Sequence, residues 1–257
     1  MKKCILLAMM MVLTGFCLTA QADFLRVEAG AGVWQSEPDG DMNYLGDPVF
    51  SLADATGFEE ESLTYLWAYL KHPVPFVPNV RLEYVETSFD GNVNSPIEWD
   101  NTTYVNAYNE LSLDQYDAVF YYNLLDNTFW LTLDLGLQFK FVDGGYTLEN
   151  TGILPLPAVR EDFDGVFPML YVRARANMPG TGFGVEGIGR GLIYGDSNIT
   201  DLQVKIDYTL DMIPFVKPGL EVGYRIQQLD LDTDDIDMRA NVDIDFSGVF
   251  AGMTVRF

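Results

Sequence analysis

The sequence predicts an all-β fold, a transmembrane antiparallel up-and-down β-barrel of about ten strands. Two long segments, residues 129–141 and 202–212, alternate between apolar residues and polar or small ones, with Trp130 as the one exception. In each segment one face is purely apolar over about 10 residues, the length that a tilted strand needs to cross a bilayer. Strands of soluble β-sandwiches also alternate, but they average only about 5–6 residues. An aromatic content of 14% also favours a membrane barrel, since such barrels carry aromatic girdles at both interfaces.

Ten segments show this alternation and are predicted to form the strands. They span residues 24–33, 63–71, 80–88, 111–123, 128–141, 166–177, 183–194, 201–212, 219–231 and 239–257. The second of these is apolar on both faces, so the pattern leaves its orientation open. The connections after even-numbered strands are short and are predicted to be periplasmic turns. Three connections after odd-numbered strands are predicted to be long extracellular loops, at residues 34–62, 89–110 and 142–165.

The first 22 residues are predicted to be a secretory signal peptide. A short basic start precedes an apolar stretch, and Ala-Gln-Ala at residues 20–22 fits the small-residue cleavage pattern. Residues 23–257 would then form a single barrel domain. Cys17 would suit a lipoprotein signal, but Phe16 stands where that signal needs a small residue. Because both cysteines of the chain fall in the signal, we expect no disulfide in the barrel and no thiolate metal site.

The chain is strongly acidic. Without the two lysines of the signal peptide, 13 basic residues stand against 38 acidic ones, which is a net charge of −25. Proteins bind DNA and RNA through Lys and Arg contacts to phosphates, so this balance argues against a nucleic-acid partner. Gly182, Gly184 and Gly187 match a dinucleotide-binding fingerprint, but they lie inside a predicted strand with no helix after them. We interpret them as glycines that relieve crowding or permit curvature in that strand, and we expect no cofactor.

Charged residues recur on the predicted strands in the phase opposite to the apolar one, where they would face the lumen. These are Arg26, Glu28, Arg81, Glu83, Asp117, Asp134, Lys140, Arg173, Arg175, Glu186, Arg190, Lys205, Asp207, Glu221 and Arg225. With eight basic and seven acidic members, the set is nearly balanced although the whole chain is not. Charges taken out of water need partners, so a balanced set favours a network of ion pairs that fills the interior. The alternative is a selectivity lining or a pocket for a polar ligand.

Two acidic clusters are predicted on the extracellular side. The loop at residues 34–62 carries eight acidic residues and no Lys or Arg. The last hairpin carries Asp230, Asp232, Asp234, Asp235 and Asp237. Oxygen-rich clusters suit Ca²⁺ or Mg²⁺, and the hairpin begins like an EF-hand loop, but Asp235 and Asn241 stand where that loop needs its Gly and its Glu. We therefore expect a solvated acidic rim and no specific metal site, with bridging to lipopolysaccharide phosphates by divalent ions left open.

The last nine residues place apolar side chains on one face of a strand that stops on Phe257. With Gly252, Val255 and Phe257, they resemble the C-terminal strand by which outer-membrane β-barrels of Gram-negative bacteria are recognised for assembly. Phe250 departs from that pattern, which more often has a polar residue there. The signal peptide, the Pro-rich turn at residues 72–79 and the ten-strand layout are similar to a family of small proteobacterial outer-membrane barrels of unassigned function.

This resemblance implies a location in the cell outer membrane after cleavage of the signal peptide. It implies contact with outer-membrane lipids and lipopolysaccharide, and assembly by periplasmic chaperones and the barrel assembly machinery. It carries no chemistry, and neither the oligomeric state nor a ligand follows from it.

Catalysis is not expected. Outer-membrane barrel enzymes of the phospholipase, palmitoyltransferase, lipid A deacylase and omptin families use a catalytic His near the outer half of the membrane. The single histidine here, His72, precedes Pro73 in a predicted periplasmic turn. A carboxylate-only or a Tyr-based catalyst is the remaining possibility, and Asp117 with Asp134 would be the carboxylate pair. We therefore predict a non-catalytic envelope barrel with a structural or interaction role. The alternatives are a narrow channel or transporter for small solutes or apolar ligands and, after it, an outer-membrane enzyme.

Overall fold

The structure of the protein, a computed structural model, describes residues 25–44, 46–74, 76–153, 155–194, 197–210, 215–231 and 240–257. The predicted signal peptide, residues 1–22, lies outside the described residues. Four members of the predicted acidic hairpin also lie outside them, namely Asp232, Asp234, Asp235 and Asp237.

The described residues form fourteen strands and one short helix. In chain order these are β1 (Arg26–Tyr44), β2 (Phe50–Ser51), α1 (Leu52–Ala55), β3 (Glu61–Lys71), β4 (Asn79–Glu86), β5 (Ser88–Asn92), β6 (Ile97–Trp99), β7 (Thr102–Tyr104), β8 (Ala107–Thr128), β9 (Leu131–Asn150), β10 (Val159–Asn177), β11 (Phe183–Tyr194), β12 (Ser197–Thr209), β13 (Lys217–Leu231) and β14 (Ala240–Arg256). No helix among the described residues has the length and apolar character needed to span a membrane.

Ten of these strands form the wall of a closed barrel. Each runs antiparallel to its neighbours in the order β1, β3, β4, β8, β9, β10, β11, β12, β13 and β14, and β14 pairs back with β1. In this closing pair Glu28 lies opposite Arg256, and Ala31 lies opposite Met253. β5 continues the wall beyond β4 by pairing with β8. The predicted fold class is therefore confirmed.

Several strands are longer than predicted. β9 runs to Asn150 and β10 begins at Val159, so the predicted loop at residues 142–165 is reduced to residues 151–158. Likewise, β1 continues to Tyr44 and β8 begins at Ala107. The prediction of three long loops was therefore wrong in extent, because the apolar pattern on which it rested changes face along each long strand.

β9 shows this change of face clearly. Leu137 is exposed on the outer surface and Lys140 is buried inside, whereas farther along the strand Tyr146 and Leu148 are buried inside and Asp143 is exposed outside. In the first part the outer surface faces lipid and the interior is polar. In the second part the outer surface faces water and the interior is an apolar protein core. The backbone continues unchanged while the apolar phase shifts by one residue, because successive side chains of a strand point to opposite faces.

The two ends of the barrel differ. At the end where β1 begins and β14 ends, called the terminal end below, the connections are short, as predicted: residues 72–78, 129–130, 178–182 and 210–216. Phe76, Phe129 and Trp130 are exposed at the tips of these turns, as an interfacial aromatic girdle would be. At the opposite end, called the loop end, chain segments fold into the mouth. Leu52 of α1 and Ile97 of β6 are fully buried there.

The orientation of β3, which the sequence left open, is determined by its aromatic residues. Tyr65, Trp67 and Tyr69 are buried inside the barrel, while Thr64 is exposed outside and Leu66 is partly exposed there. The rings of β3 therefore line the interior beside the charged residues described next.

Candidate functional site

The interior within the lipid-facing belt is filled with charged side chains. Of the 15 charged residues predicted to face the lumen, 14 are buried, and only Arg26 is partly exposed. The structure adds two members that the sequence analysis missed, Asp201 and Arg256. Asp201 lies on the same inward face of its strand as Lys205 and Asp207, and Arg256 lies on the same face as the buried Thr254. Asp201 is the first residue of the predicted strand at 201–212, and Arg256 is the last residue of β14; alternation is hardest to follow at such boundaries.

Glu186 on β11 is the centre of this network. Its carboxylate lies 2.6 Å from Nη2 of Arg173, 3.2 Å from Nη1 of Arg175 and 3.2 Å from Nζ of Lys205. Nη1 of Arg81 is 3.9 Å away. Each of these four cations also contacts a second carboxylate; in the same order these are Asp134, Asp207, Glu221 and Glu83. Every cation around Glu186 is therefore shared between two acids.

Asp201 on β12 forms a second centre, closer to the loop end. Its carboxylate accepts hydrogen bonds from Nη1 of Arg190 at 3.0 Å and from Nε and Nη2 of Arg225 at 3.1 and 2.5 Å. Arg190 also contacts Glu83, which in turn contacts Arg81. Since Arg81 reaches Glu186, the two centres belong to one continuous network.

A third group of ion pairs lies near the terminal end. Asp207 accepts two hydrogen bonds from Arg175, at 2.7 and 2.9 Å, and one from Arg256 at 2.8 Å. Arg256 also donates to Glu28 at 3.1 Å, and Glu28 pairs with Arg26. Because Arg256 is on β14 and Glu28 is on β1, this group joins the two strands that close the barrel.

Aromatic rings of β3 enclose part of the network. The ring of Trp67 lies 4.9 Å from the guanidinium of Arg81 and 4.4 Å from Nζ of Lys205, both within cation–π range. Its Nε1 and the hydroxyl of Tyr65 donate to Glu221 at 2.9 and 2.8 Å. A cavity of about 10 Å³ remains between Trp67 and Arg225, which is enough for about one water molecule.

Two of the predicted glycines, Gly252 and Gly184, also have packing roles, whereas a side chain at Gly187 would meet nothing closer than 4.0 Å, so crowding does not explain that glycine. A side chain at Gly252 would collide with the hydroxyl of Tyr65 and with the backbone of Ala31, so the close approach of β14 to β1 requires glycine there. A side chain at Gly184 would collide with the guanidinium of Arg175. Val255 and Phe257 continue the outward-facing, apolar phase of β14.

The two candidate catalytic groups are not assembled into a site. Asp117 lies opposite Lys140, whereas Asp134 lies opposite Asn123, so the two carboxylates are six residues apart along β8, roughly 20 Å. Asp117 pairs with Lys140 at 3.1 Å, and Asp134 pairs with Arg173 at 2.7 Å.

His72 uses both ring nitrogens within its own turn. Its Nδ1 accepts a hydrogen bond from the N–H of Val74 at 3.1 Å, and its Nε2 lies 3.1 Å from the carbonyl oxygen of Pro78, to which it can donate. The ring therefore stabilises the turn between β3 and β4 at the terminal end.

The outer surface of the loop end is acidic. Asp243 of β14 lies opposite Asp41 of β1 on one side and Asp230 of β13 on the other. Partial burial, and then the neighbouring carboxylates of Asp230, Asp245 and Asp41, raise the pKa of Asp243 above its usual value. Within the described residues, no three His, Cys, Asp or Glu side chains are grouped so as to hold a metal ion.

The sequence matches no protein-family model and no curated protein. Among solved structures, the outer membrane protease OmpT from Escherichia coli aligns with a TM-score of 0.50 at 12% identity, over 93% of this chain and 98% of that one. The translocator domain of the autotransporter NalP from Neisseria meningitidis gives 0.46 at 9% identity, over 99% and 96%. Neisserial surface protein A gives 0.34 at 10% identity, over 93% and 100%. At 12% identity the likeness to OmpT shows the fold alone, and this fold is that of an outer-membrane β-barrel.

Proposed function

We propose that the protein is a non-catalytic integral outer-membrane β-barrel whose lumen is filled by side chains, with a structural or interaction role in the cell envelope. The observation that carries this proposal is the pairing of the interior charges with one another. Glu186 contacts four cations and Asp201 two, and each cation near Glu186 has a second acid.

The composition of the interior supports a closed lumen over a conducting one. An ion-selective pore presents a lining in which one sign of charge dominates. Here the interior charges of both signs neutralise each other, and the cavity beside Trp67 has a volume of only about 10 Å³. A ten-stranded barrel is only slightly wider than an eight-stranded one, whose interior side chains can fill.

The absence of catalysis is supported by the same contacts. A carboxylate that acts as a general acid or base must reach a substrate. Asp117 and Asp134 are buried and engaged by Lys140 and Arg173. His72 is engaged by Val74 and Pro78.

The proposed location implies an orientation. The short turns and the terminal end of the barrel would face the periplasm, and the acidic loop end would face outwards, next to the phosphates of lipopolysaccharide. Insertion would depend on periplasmic chaperones and the barrel assembly machinery, with Gly252, Val255 and Phe257 as the recognition signal.

Conductance of the purified protein in a planar lipid bilayer tests the closed lumen. We expect small or no conductance from the unmodified protein, and an increase when Arg173 and Arg175 are both replaced by Ala, because these side chains occupy the interior around Glu186. Arg160→Ala is the control, since Arg160 is exposed on the outer surface and should leave conductance unchanged. A stable, wide conductance from the unmodified protein would contradict the proposal and favour a channel.

A further inference from the structure

An apolar cavity of about 350 Å³ lies inside the loop end, above the charge network. Its wall includes Met42 of β1, Leu113 of β8, Val142 of β9, Leu229 of β13 and Phe246 of β14. All five side chains are buried, and all belong to strand segments in which the apolar phase faces inwards. The cavity therefore exists because the strands change their apolar face at the edge of the lipid-facing belt.

The floor of the cavity separates it from the charges. Gln115 is the next inward-facing residue after Leu113 on β8, and Gln227 is the inward-facing residue next to Leu229 on β13. Their side-chain amides donate to each other at 3.2 and 2.7 Å, and Lys140 donates to Gln115 at 2.9 Å. The amide groups thus satisfy one another below the cavity, and its apolar wall offers a ligand few polar partners.

The barrel wall beside the cavity is low on one side. β10 pairs with β11 only from Leu170 to Asn177, whereas β10 itself extends back to Val159. The hairpin of β11 and β12 closes at the pair Tyr194 and Ser197. Within the described part of the chain, the edge of β10 from Val159 to Met169 therefore has no strand partner on that side.

This free edge borders the cavity, which Asp162, Phe163, Asp164 and Phe167 of β10 also line. The low wall lies just beyond the lipid-facing belt, because the neighbouring outward residue Val166 is apolar and Asp164 and Asp162, farther along β10, are acidic. A molecule leaving the outer edge of the membrane would meet this side of the barrel first.

We propose that the loop-end cavity is a binding site for a small uncharged apolar molecule, which enters sideways over the β11–β12 hairpin. A dry apolar cavity of about 150 Å³ can hold benzene, so this one, about twice as large, suits a molecule of roughly two fused rings or an alkyl chain of similar volume. Such a site lies within the usual range for ligand pockets, about 300–1,000 Å³.

The charges at the rim select against anions. Asp162 and Asp164 lie where the cavity meets the free edge of β10, and they are exposed to solvent. A carboxylate on the ligand would approach these two acids, and no Lys or Arg is found among the described residues that line the cavity. The site therefore takes an uncharged hydrocarbon in preference to an acid of the same shape.

Methyl NMR of the protein in lipid nanodiscs, with ¹³C-methyl methionine, tests this site. Met42 lines the cavity, while Met253 faces lipid on the outer surface and reports partitioning into the bilayer. We expect naphthalene to shift the Met42 signal saturably and to leave Met253 with at most a linear drift. We expect 2-naphthoate, the same rings with a carboxylate, to bind at least tenfold more weakly. Replacing Asp162 and Asp164 by Asn should strengthen 2-naphthoate binding and leave naphthalene binding unchanged.

Filling the cavity provides the matched control. Leu113→Trp should weaken naphthalene binding at least tenfold, and Val142→Phe provides a second test if the first variant does not fold. Leu220→Trp adds the same bulk on the lipid-facing surface and should have no effect. The proposal is overturned if Met42 does not respond to naphthalene in the folded protein, since the cavity would then be filled by the chain itself or by lipid. It is also overturned if Leu113→Trp and Val142→Phe both fold and bind naphthalene as tightly as the unmodified protein.

Discussion

Replacing Asp201 by Asn should destabilise the barrel strongly, because Asp201 neutralises two buried cations. It is fully buried and accepts hydrogen bonds from Arg190 and from both Nε and Nη2 of Arg225. Removing one partner of a buried ion pair typically costs about 3–5 kcal/mol, since the other charge remains without compensation. Arg190 would retain its salt bridge with Glu83, whereas Arg225 forms no second salt bridge among the described residues. We therefore expect a loss of about 3 kcal/mol in the free energy of unfolding, at the lower end of that range.

Urea titration of the barrel in lipid vesicles, followed by tryptophan fluorescence, measures this loss. The double variant Asp201→Asn with Arg225→Met should recover most of it, because replacing both members of a buried pair by neutral groups is often close to neutral. Glu149→Gln is the control: Glu149 pairs with Arg160 on the exposed surface, and such pairs contribute about 0–1 kcal/mol. The reasoning fails if Asp201→Asn costs no more than Glu149→Gln, or if the double variant is as unstable as the single one.

Three further predictions concern the outer surface. Val204 is exposed in the middle of the outward apolar run of β12, so Val204→Arg should cost about 2–4 kcal/mol in the same urea titration, and a loss below 1 kcal/mol would place it away from the lipid. For spin labels placed at successive outward positions of β9 towards the loop end, accessibility to dissolved oxygen should fall, and accessibility to a water-soluble relaxant should rise, between Phe141 and Asp143. A change at any other position would move the membrane boundary. Because the folded barrel raises the pKa of Asp243, its ionised form is destabilising above that pKa, and the penalty disappears as the pH falls below its usual value of 3.8. Asp243→Asn should therefore stabilise the barrel at pH 7 and lose this advantage near pH 3, and an advantage that is the same at both pH values would contradict this assignment.

The sequence predicted the barrel and most of its interior because both depend on a strand period of two. Once Leu137 is placed against lipid, Lys140 must face the lumen, and the same rule applies to Arg173 and Lys205. Which charges pair depends on the register between strands and on side chains that reach across the lumen, and alternation contains neither. Glu186 illustrates this limit: its contact with Arg175 crosses one strand pair, but its contact with Arg81 crosses the interior.

The cavity at the loop end shows why a consistent pattern can still be read incorrectly. Alternation in β9 continues without interruption from Leu131 to Leu148, but its apolar members change from odd to even positions at Phe141 and Val142. If only the odd positions are followed, the apolar run ends at Phe141, which resembles the end of a strand and the start of a loop. Physically the change marks the edge of the bilayer. Within the bilayer the outer surface of the barrel is apolar and the interior is polar, whereas beyond it the outer surface must be polar and the interior can be a dry core. The apolar residues of β14 change face in the same way: Ile244 and Phe246 face inwards, and Val249 faces outwards. Where the apolar residues of neighbouring strands turn from the outer to the inner face at the same height, they enclose an apolar interior above the polar one. In this barrel that apolar interior contains the loop-end cavity.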